Sequence, residues 1–225
     1  VRVEIVRKSE GLEELAGTVV VLDIFRASNT IIALLQSGVA ELVLMADLEE
    51  ARRLRARRPG WLLLGERKGV PPPDFDGGNS PTQALSGVFS GRRAIFTTSA
   101  GTQAVGRLRA AQAVFFGSFA NAGALCETLK KLDPPAVHFL PMGFEATRPA
   151  FEDDSAAQYL ADTLAGSRPD FAALKPKLIN CEGAGRLRDL GQHADLDFCT
   201  TLDSHNIVPW VRLGYVPQVQ PYPGP

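Results

Sequence analysis

The sequence predicts a three-layer α/β/α fold on a mostly parallel or mixed sheet, with an irregular C-terminal edge. Two observations carry this. Short runs such as TVVVLD (18–23), WLLLGE (61–66) and RAIFTT (93–98) are almost solidly apolar instead of alternating, as strands are when both faces of a sheet are covered. Stretches with helical spacing lie between them, so strands and helices take turns along the chain, the pattern of parallel connections. The 225 residues, 45% hydrophobic and 22% charged, suit one large domain over 1–225 with a sizeable core.

The elements follow in order. VRVEIV (1–6) and TVVVLD read as strands, and ASNTIIALLQSG (27–38) as a helix that Gly38 stops. ELVLMA (41–46) is a strand and LEEARRLRARR (48–58) a charged helix. WLLLGE leads into a long segment, GERKGVPPPDFDGGNSPTQAL (65–85), with three consecutive prolines and a Gly-Gly pair. A loop this long in a compact domain is usually a functional one. It ends in a helix start, with Ser80 as N-cap, Pro81 at the first helical position and Gln83 closing a capping box. RAIFTT precedes the helical GTQAVGRLRAA, QAVFFG (112–117) precedes NAGALCETLKKL, and AVHFLPMG (136–143) precedes DDSAAQYLADTLAG. From about residue 175 the rhythm loosens into a C-terminal elaboration. KLINC, DLDFCT and YVPQVQP read there as added strands, antiparallel ones at an edge among the options, before the tail PYPGP.

Several function classes drop out. A formal net charge of −1 offers no basic field for nucleic acid. No apolar run approaches the ~20 residues of a membrane span, and no signal-peptide pattern follows Val1. Cys126, Cys181 and Cys199 are odd in number and widely spaced, which suggests neither a disulfide framework nor a zinc site and fits a reducing, cytoplasmic setting. There is no GxxxxGK[ST] and no GxSxG, and GAGRLR (183–188) lacks the third glycine of a dinucleotide fingerprint. His138 reads as a core histidine, His193 as a loop residue, and His205 is the one histidine with a functional reading.

In an open parallel sheet, ligands bind beyond the carboxyl ends of the strands. That rule collects Asp23 and Arg26, then Glu66 and Arg67, then Thr97, Thr98, Ser99, Gly101 and Thr102, then Ser118 and Asn121, then Glu145, Arg148, Glu152, Asp153 and Asp154. The set suits a phosphorylated ligand. TTSAGT is a small-residue turn into a helix, where free N–H groups and the dipole favour an anion. Arg26 and Arg67 are placed to clamp phosphate oxygens. Asp23, Glu66, Glu152 and Asp153 are hard oxygen ligands for Mg²⁺, and without a cation so many acids would repel the anion beside them. Each piece has a bland alternative: an Asp23–Arg26 ion pair, a capped helix at TTSAGT, acids complementing a helix N-terminus, and a Glu66–Arg67 salt bridge. Their convergence is what favours a site.

DIFRASNT, GERKG with the later FDGGNSP, FTTSAGT, GSFANAG and EDDSAAQYL, in this order and spacing, resemble the 2-phosphosulfolactate phosphatase family over about residues 18–210. The resemblance implies Mg²⁺-dependent hydrolysis of phosphate esters of 2-hydroxy acids, the named reaction giving sulfolactate and phosphate within coenzyme M biosynthesis. It matches the family's strand-end acid and base to Asp23 and Arg26, its GER element to Gly65, Glu66 and Arg67, and its GNSP element to Gly78, Asn79, Ser80 and Pro81. This chain departs from the family's usual pattern at Phe25, Ser28, Asn29 and Ala100. The expected site is therefore Asp23, Arg26 and Arg67 as catalytic groups. Asn79, Ser80, Thr97, Thr98, Ser99, Gly101, Thr102 and Asn121 would hold substrate, and Asp23, Glu66, Glu152 and Asp153 the metal. The expected partner is a small phosphate ester, with no nucleic acid, no membrane and a homo-oligomer left open. Direct attack by water and an aspartyl-phosphate on Asp23 both remain available. A non-catalytic organic-phosphate sensor and a phosphotransferase are the other readings.

Overall fold

A computed structural model describes residues 1–7 and 10–224. The N-terminal half contains β1 (Arg2–Ile5), β2 (Gly17–Leu22), α1 (Ala27–Gln36), β3 (Glu41–Leu44), α2 (Leu48–Arg57), β4 (Leu62–Gly65), α3 (Pro81–Leu85), β5 (Arg93–Thr97) and α4 (Gly101–Arg107). Then come β6 (Ala111–Phe116), α5 (Ala122–Leu132), β7 (Ala136–Pro141), α6 (Phe151–Leu164), α7 (Phe171–Ile179), α8 (Glu182–Asp189), α9 (His193–Cys199), β8 (Pro209–Arg212) and β9 (Gln218–Pro221).

The described strands form one nine-stranded mixed sheet in the order β1-β7-β2-β6-β8-β9-β3-β5-β4. Helices cover both faces. In β2, Val19 and Val21 face α1 and α4, while Val20 and Leu22 face α5 and α6, and all four are fully buried. This double cover is why the run lacks alternation. Two parallel blocks, β1-β7-β2-β6 and β3-β5-β4, flank the β8–β9 hairpin. The pairings β6–β8, β8–β9 and β9–β3 are each antiparallel, so the two blocks run in opposite senses.

The sheet curls around α1. Inward residues of both blocks, Val21 on β2 and Leu64 and Phe96 on β4 and β5, join one core with Ile31 and Leu34. Residues 27–35 of α1 are all buried, as a helix apolar on nearly every side requires. Two of its polar side chains find partners: Ser28 Oγ accepts from the Asp23 N–H, and Asn29 donates to Ile24 O and accepts from Ser118 Oγ, while Thr30 Oγ1 has none among the described residues.

The C-terminal reading needs correction. KLINC begins with the last residues of α7, Lys177 to Ile179, and DLDFCT lies in α9 up to Cys199. In α9 the buried residues are Asp195, Leu196 and Cys199, spaced as a helix face, although DLDFC also fits strand alternation. His193 begins this helix instead of lying in a loop. YVPQVQP does contain a strand, β9, but in the middle of the sheet and not at its edge. Val211 and Val219 each pair across the hairpin and reach the α1 core. At α3 the Ser80 cap and Pro81 stand as expected, but the Gln83 side chain accepts from Gly78 N–H, not from Ser80.

Candidate active site

Asp23, Glu66, Glu152 and Asp153 all line one cleft of about 150 Å³. Asp23 directly follows β2, Glu66 follows β4, and Glu152 and Asp153 lie in the first turn of α6. Gly65 makes the exit from β4 possible: its φ is 133°, and a Cβ there would stand 1.9 Å from Thr97 O. Gly183, at the start of α8, does the same for Glu152, because a Cβ would come within 2.2 Å of Glu152 Oε1. A larger cavity of about 390 Å³ adjoins through Ala100 and Gly143, but none of the four acids lines it.

Main-chain N–H groups hold three of the carboxylates. Asp23 accepts from Ala27 and Gly101, each at 3.1 Å. Glu66 accepts from Ser99 at 2.7 Å and from Gly69 at 2.8 Å. Asp153 accepts from Ile24 and Gly143, each at 2.8 Å. Glu152 is the least engaged: among the described residues its carboxylate receives the Cys181 thiol alone, at 3.4 Å. Burial pushes the Asp23 carboxyl up to about 6, helped by the charges of Glu66 and Glu152 and opposed by its two N–H bonds. Burial, then the charges of Glu152 and Asp23, hold Asp153 well above the carboxylate range. Glu152 is raised as well, chiefly by burial. The four groups therefore form a concentration of like charge that a cation would relieve.

The threonine turn works differently from the anion cradle expected of it. Its Ser99 and Gly101 N–H groups are taken by the protein's own carboxylates, Glu66 and Asp23. Thr98 and Thr102 cap each other: Thr98 N–H donates to Thr102 Oγ1 at 2.9 Å and Thr102 N–H to Thr98 Oγ1 at 3.3 Å. Thr97 Oγ1 accepts from Arg67 at 2.8 Å. Of the turn, Ser99 and Ala100 reach the cleft wall.

Neither arginine is free to act as the expected clamp. Arg26 lines the cleft but is tied to the buried Asp195, and it also donates to Gly69 O at 3.2 Å. The partner is thus Asp195 and not Asp23. Arg67 stands off the cleft wall, its guanidinium donating to Glu66 O and Thr97 Oγ1. Ser80 Oγ donates to Asp195 at 2.8 Å. Asn121 is a buried cap, accepting from Ser118 N–H and donating to Ile207 O, away from the cleft. His205 likewise lies off it, against Phe198 and Ser204. Asn79 does line the cleft, 5% exposed, with its Oδ1 lacking a hydrogen-bond partner among the described residues.

A sequence model of the family described as 2-phosphosulpholactate phosphatase matches residues 5–214. The chain belongs to this family. Similar relatives include three proteins named probable 2-phosphosulfolactate phosphatase. The one from Thermotoga petrophila is 31% identical, with 85% of this chain and 88% of the relative covered. The one from a Synechococcus species is 34% identical over 84% and 85%. The one from Thermoplasma acidophilum is 32% identical over 90% and 88%.

For this member of the 2-phosphosulfolactate phosphatase family, the cleft holds residues that sequence reasoning passed over. Lys68 and Arg186 line it beside Gly183. Lys68 lies within GERKG, directly after Glu66 and Arg67. Arg186 sits in GAGRLR, whose glycines resemble part of a nucleotide fingerprint and draw attention away from the arginine. Asp195 had no local signal at all, since its stretch also reads as a strand.

The donor chemistry fits a divalent cation of the Mg²⁺ kind: hard carboxylate oxygens, raised acids and the orphaned Asn79 Oδ1 share one wall system. Among the described residues no three His, Cys, Asp or Glu side chains form a ready-made metal cluster. Mg²⁺ commonly takes one or two carboxylates and completes its shell with water and phosphate oxygens, so this donor set remains compatible with the ion.

Proposed function

We propose that this protein hydrolyses phosphate esters of 2-hydroxy carboxylic acids, with conversion of 2-phosphosulfolactate to sulfolactate and phosphate as its reaction. The observation that carries the reading is the meeting of Asp23, Glu66, Glu152 and Asp153 in one cleft beside the unpartnered Asn79 Oδ1. Four acids beside a phosphate are repulsive unless a cation joins them. Mg²⁺ held by carboxylates of this set would polarise the phosphoryl group and offset its charge. We extend the proposal to the coenzyme M pathway and a cytoplasmic setting, which the free cysteines Cys126, Cys181 and Cys199 suit.

The chain's own residues would act as follows. Glu152, the carboxylate with fewest hydrogen bonds, takes a proton from the attacking water. The water oxygen bonds to phosphorus, the ester P–O bond breaks, and its electron pair leaves on the 2-oxygen, which takes a proton from solvent. Asp23 is held by two main-chain N–H bonds that occupy an acceptor position on each oxygen. This favours water over Asp23 as the nucleophile, and a trapped phosphorylated Asp23 would reverse that assignment. Asn79 Oδ1 accepts a hydrogen bond from the attacking water.

The test is a phosphate-release screen over 2-phospholactate and 2-phosphosulfolactate with Mg²⁺ and with EDTA. Steady release in Mg²⁺, lost in EDTA and in Glu152→Gln, is expected. Binding of these esters without any turnover would instead make the protein a sensor of organic phosphates.

A further inference from the structure

The cleft has a second electrostatic wall. Three cations line the cleft: Arg26, buried in its pair with Asp195, and the more open Lys68 and Arg186. Lys68 is exposed, and no hydrogen bond or ion pair engages its ammonium among the described residues. Arg186 is built into place. Its guanidinium carbon lies 3.9 Å from the centroid of the Phe144 ring, and its Nη1 donates to Glu182 at 2.9 Å. Arg148 meets the same ring at 4.7 Å and forks onto the same Glu182 carboxylate. Two guanidinium groups thus share one carboxylate. A stacked guanidinium is pre-organised, so less side-chain freedom is lost when it binds an anion.

A phosphosulfolactate carries a sulfonate besides its phosphate. The acids of the cleft suit the phosphate only through a cation, and they repel a bare sulfonate. We propose that Arg186, braced by Phe144 and Glu182, is the specificity residue that binds the sulfonate end of the substrate. This deepens the phosphatase reading and rests on it for the identity of the ester. A guanidinium is weakly hydrated and presents a planar fork of donors, which suits two oxygens of a sulfonate. Lys68 stands by as a second cation for the carboxylate.

The experiment compares wild type with Arg186→Gln and Arg186→Lys on 2-phosphosulfolactate and 2-phospholactate. Beside this, calorimetry measures sulfolactate and lactate binding to each protein. The wild-type preference for the sulfonated ester, as a ratio of kcat/KM values, is expected to fall at least tenfold in Arg186→Gln and less in Arg186→Lys. The calorimetric preference for sulfolactate over lactate should fall in step. A ratio left unchanged, whether both esters are turned over normally or both decline together, would overturn the assignment. If wild type releases phosphate from neither ester, the phosphatase reading fails, while the calorimetric preference still decides the role of Arg186.

Discussion

Arg26 and Asp195 form an ion pair with each side chain only 3% exposed, closed across 169 residues of chain. The other Asp195 oxygen accepts from Ser80 Oγ at 2.8 Å and from the Thr82 N–H at 3.1 Å, so one carboxylate ties the strand-end arginine to the start of α3. Removing one member of a buried pair leaves an uncompensated charge, at a cost of about 3–5 kcal/mol. Asp195→Ala should therefore lower the urea unfolding free energy by that order. A loss within 1 kcal/mol would show that Arg26 finds another partner or water.

The raised Asp23 carboxyl gives a signed pH dependence. Its folded value is about 6 against an ordinary 3.8, so the native state holds a proton that the unfolded chain has released in this window. Metal-free stability should fall as pH rises from about 4 through about 6. Turnover, which needs the carboxylate, should rise across the same limb. Glu152→Gln removes one of the repelling charges and should raise the metal-free melting temperature near neutral pH while activity is lost. Thermal scans and pH–rate profiles read both effects. Stability that climbs from pH 4 to 6 without metal would contradict the like-charge account.

Mg²⁺ should reverse that penalty. A ligand that binds only the native state stabilises by about 2.7 kcal/mol at 100 times its Kd. A melting temperature that rises with Mg²⁺ in wild type, and much less in Asp23→Asn, is the expected outcome. The acidic limb of the pH–rate profile should also move lower as Mg²⁺ increases, since the cation favours the charged carboxylates. Equal thermal shifts in both proteins would place the ion elsewhere.

Gly183 allows α8 to close against Glu152. A Cβ placed 2.2 Å from Glu152 Oε1 must displace that carboxylate. Gly183→Ala should cost about 1–3 kcal/mol in stability, as over-packing does, and at least tenfold in phosphate release. Normal kinetics with normal stability would mean that Glu152 swings aside freely and holds no defined position.

Much of the fold was legible because its causes are local. The apolar runs that become β2, β4, β5 and β6 are read from composition, and Ser80-Pro81 marks the start of α3 whatever surrounds it. The positions of Asp23, Glu66, Glu152 and Asp153 after strands or at a helix start were equally readable. Side-chain direction was not. Arg26 and Arg67 have the right type and spacing for an anion clamp, yet their donors go to Asp195, Gly69 O, Glu66 O and Thr97 Oγ1. An ion pair 169 residues apart leaves no trace in local periodicity. Nor does DLDFC distinguish a strand from the face of a helix.

By itself, then, the sequence determined the strands and helices of the chain up to about residue 165 and which acids stand at their ends, since backbone preference and burial pattern act over a few residues. Only the tertiary structure decided that those acids meet. The block containing β2 and the block containing β4 run in opposite senses, so in a flat sheet Asp23 and Glu66 would lie at opposite edges. The β8–β9 hairpin inserted between the blocks sets their directions, and the curl of the whole sheet around the buried α1 brings both acids to one cleft.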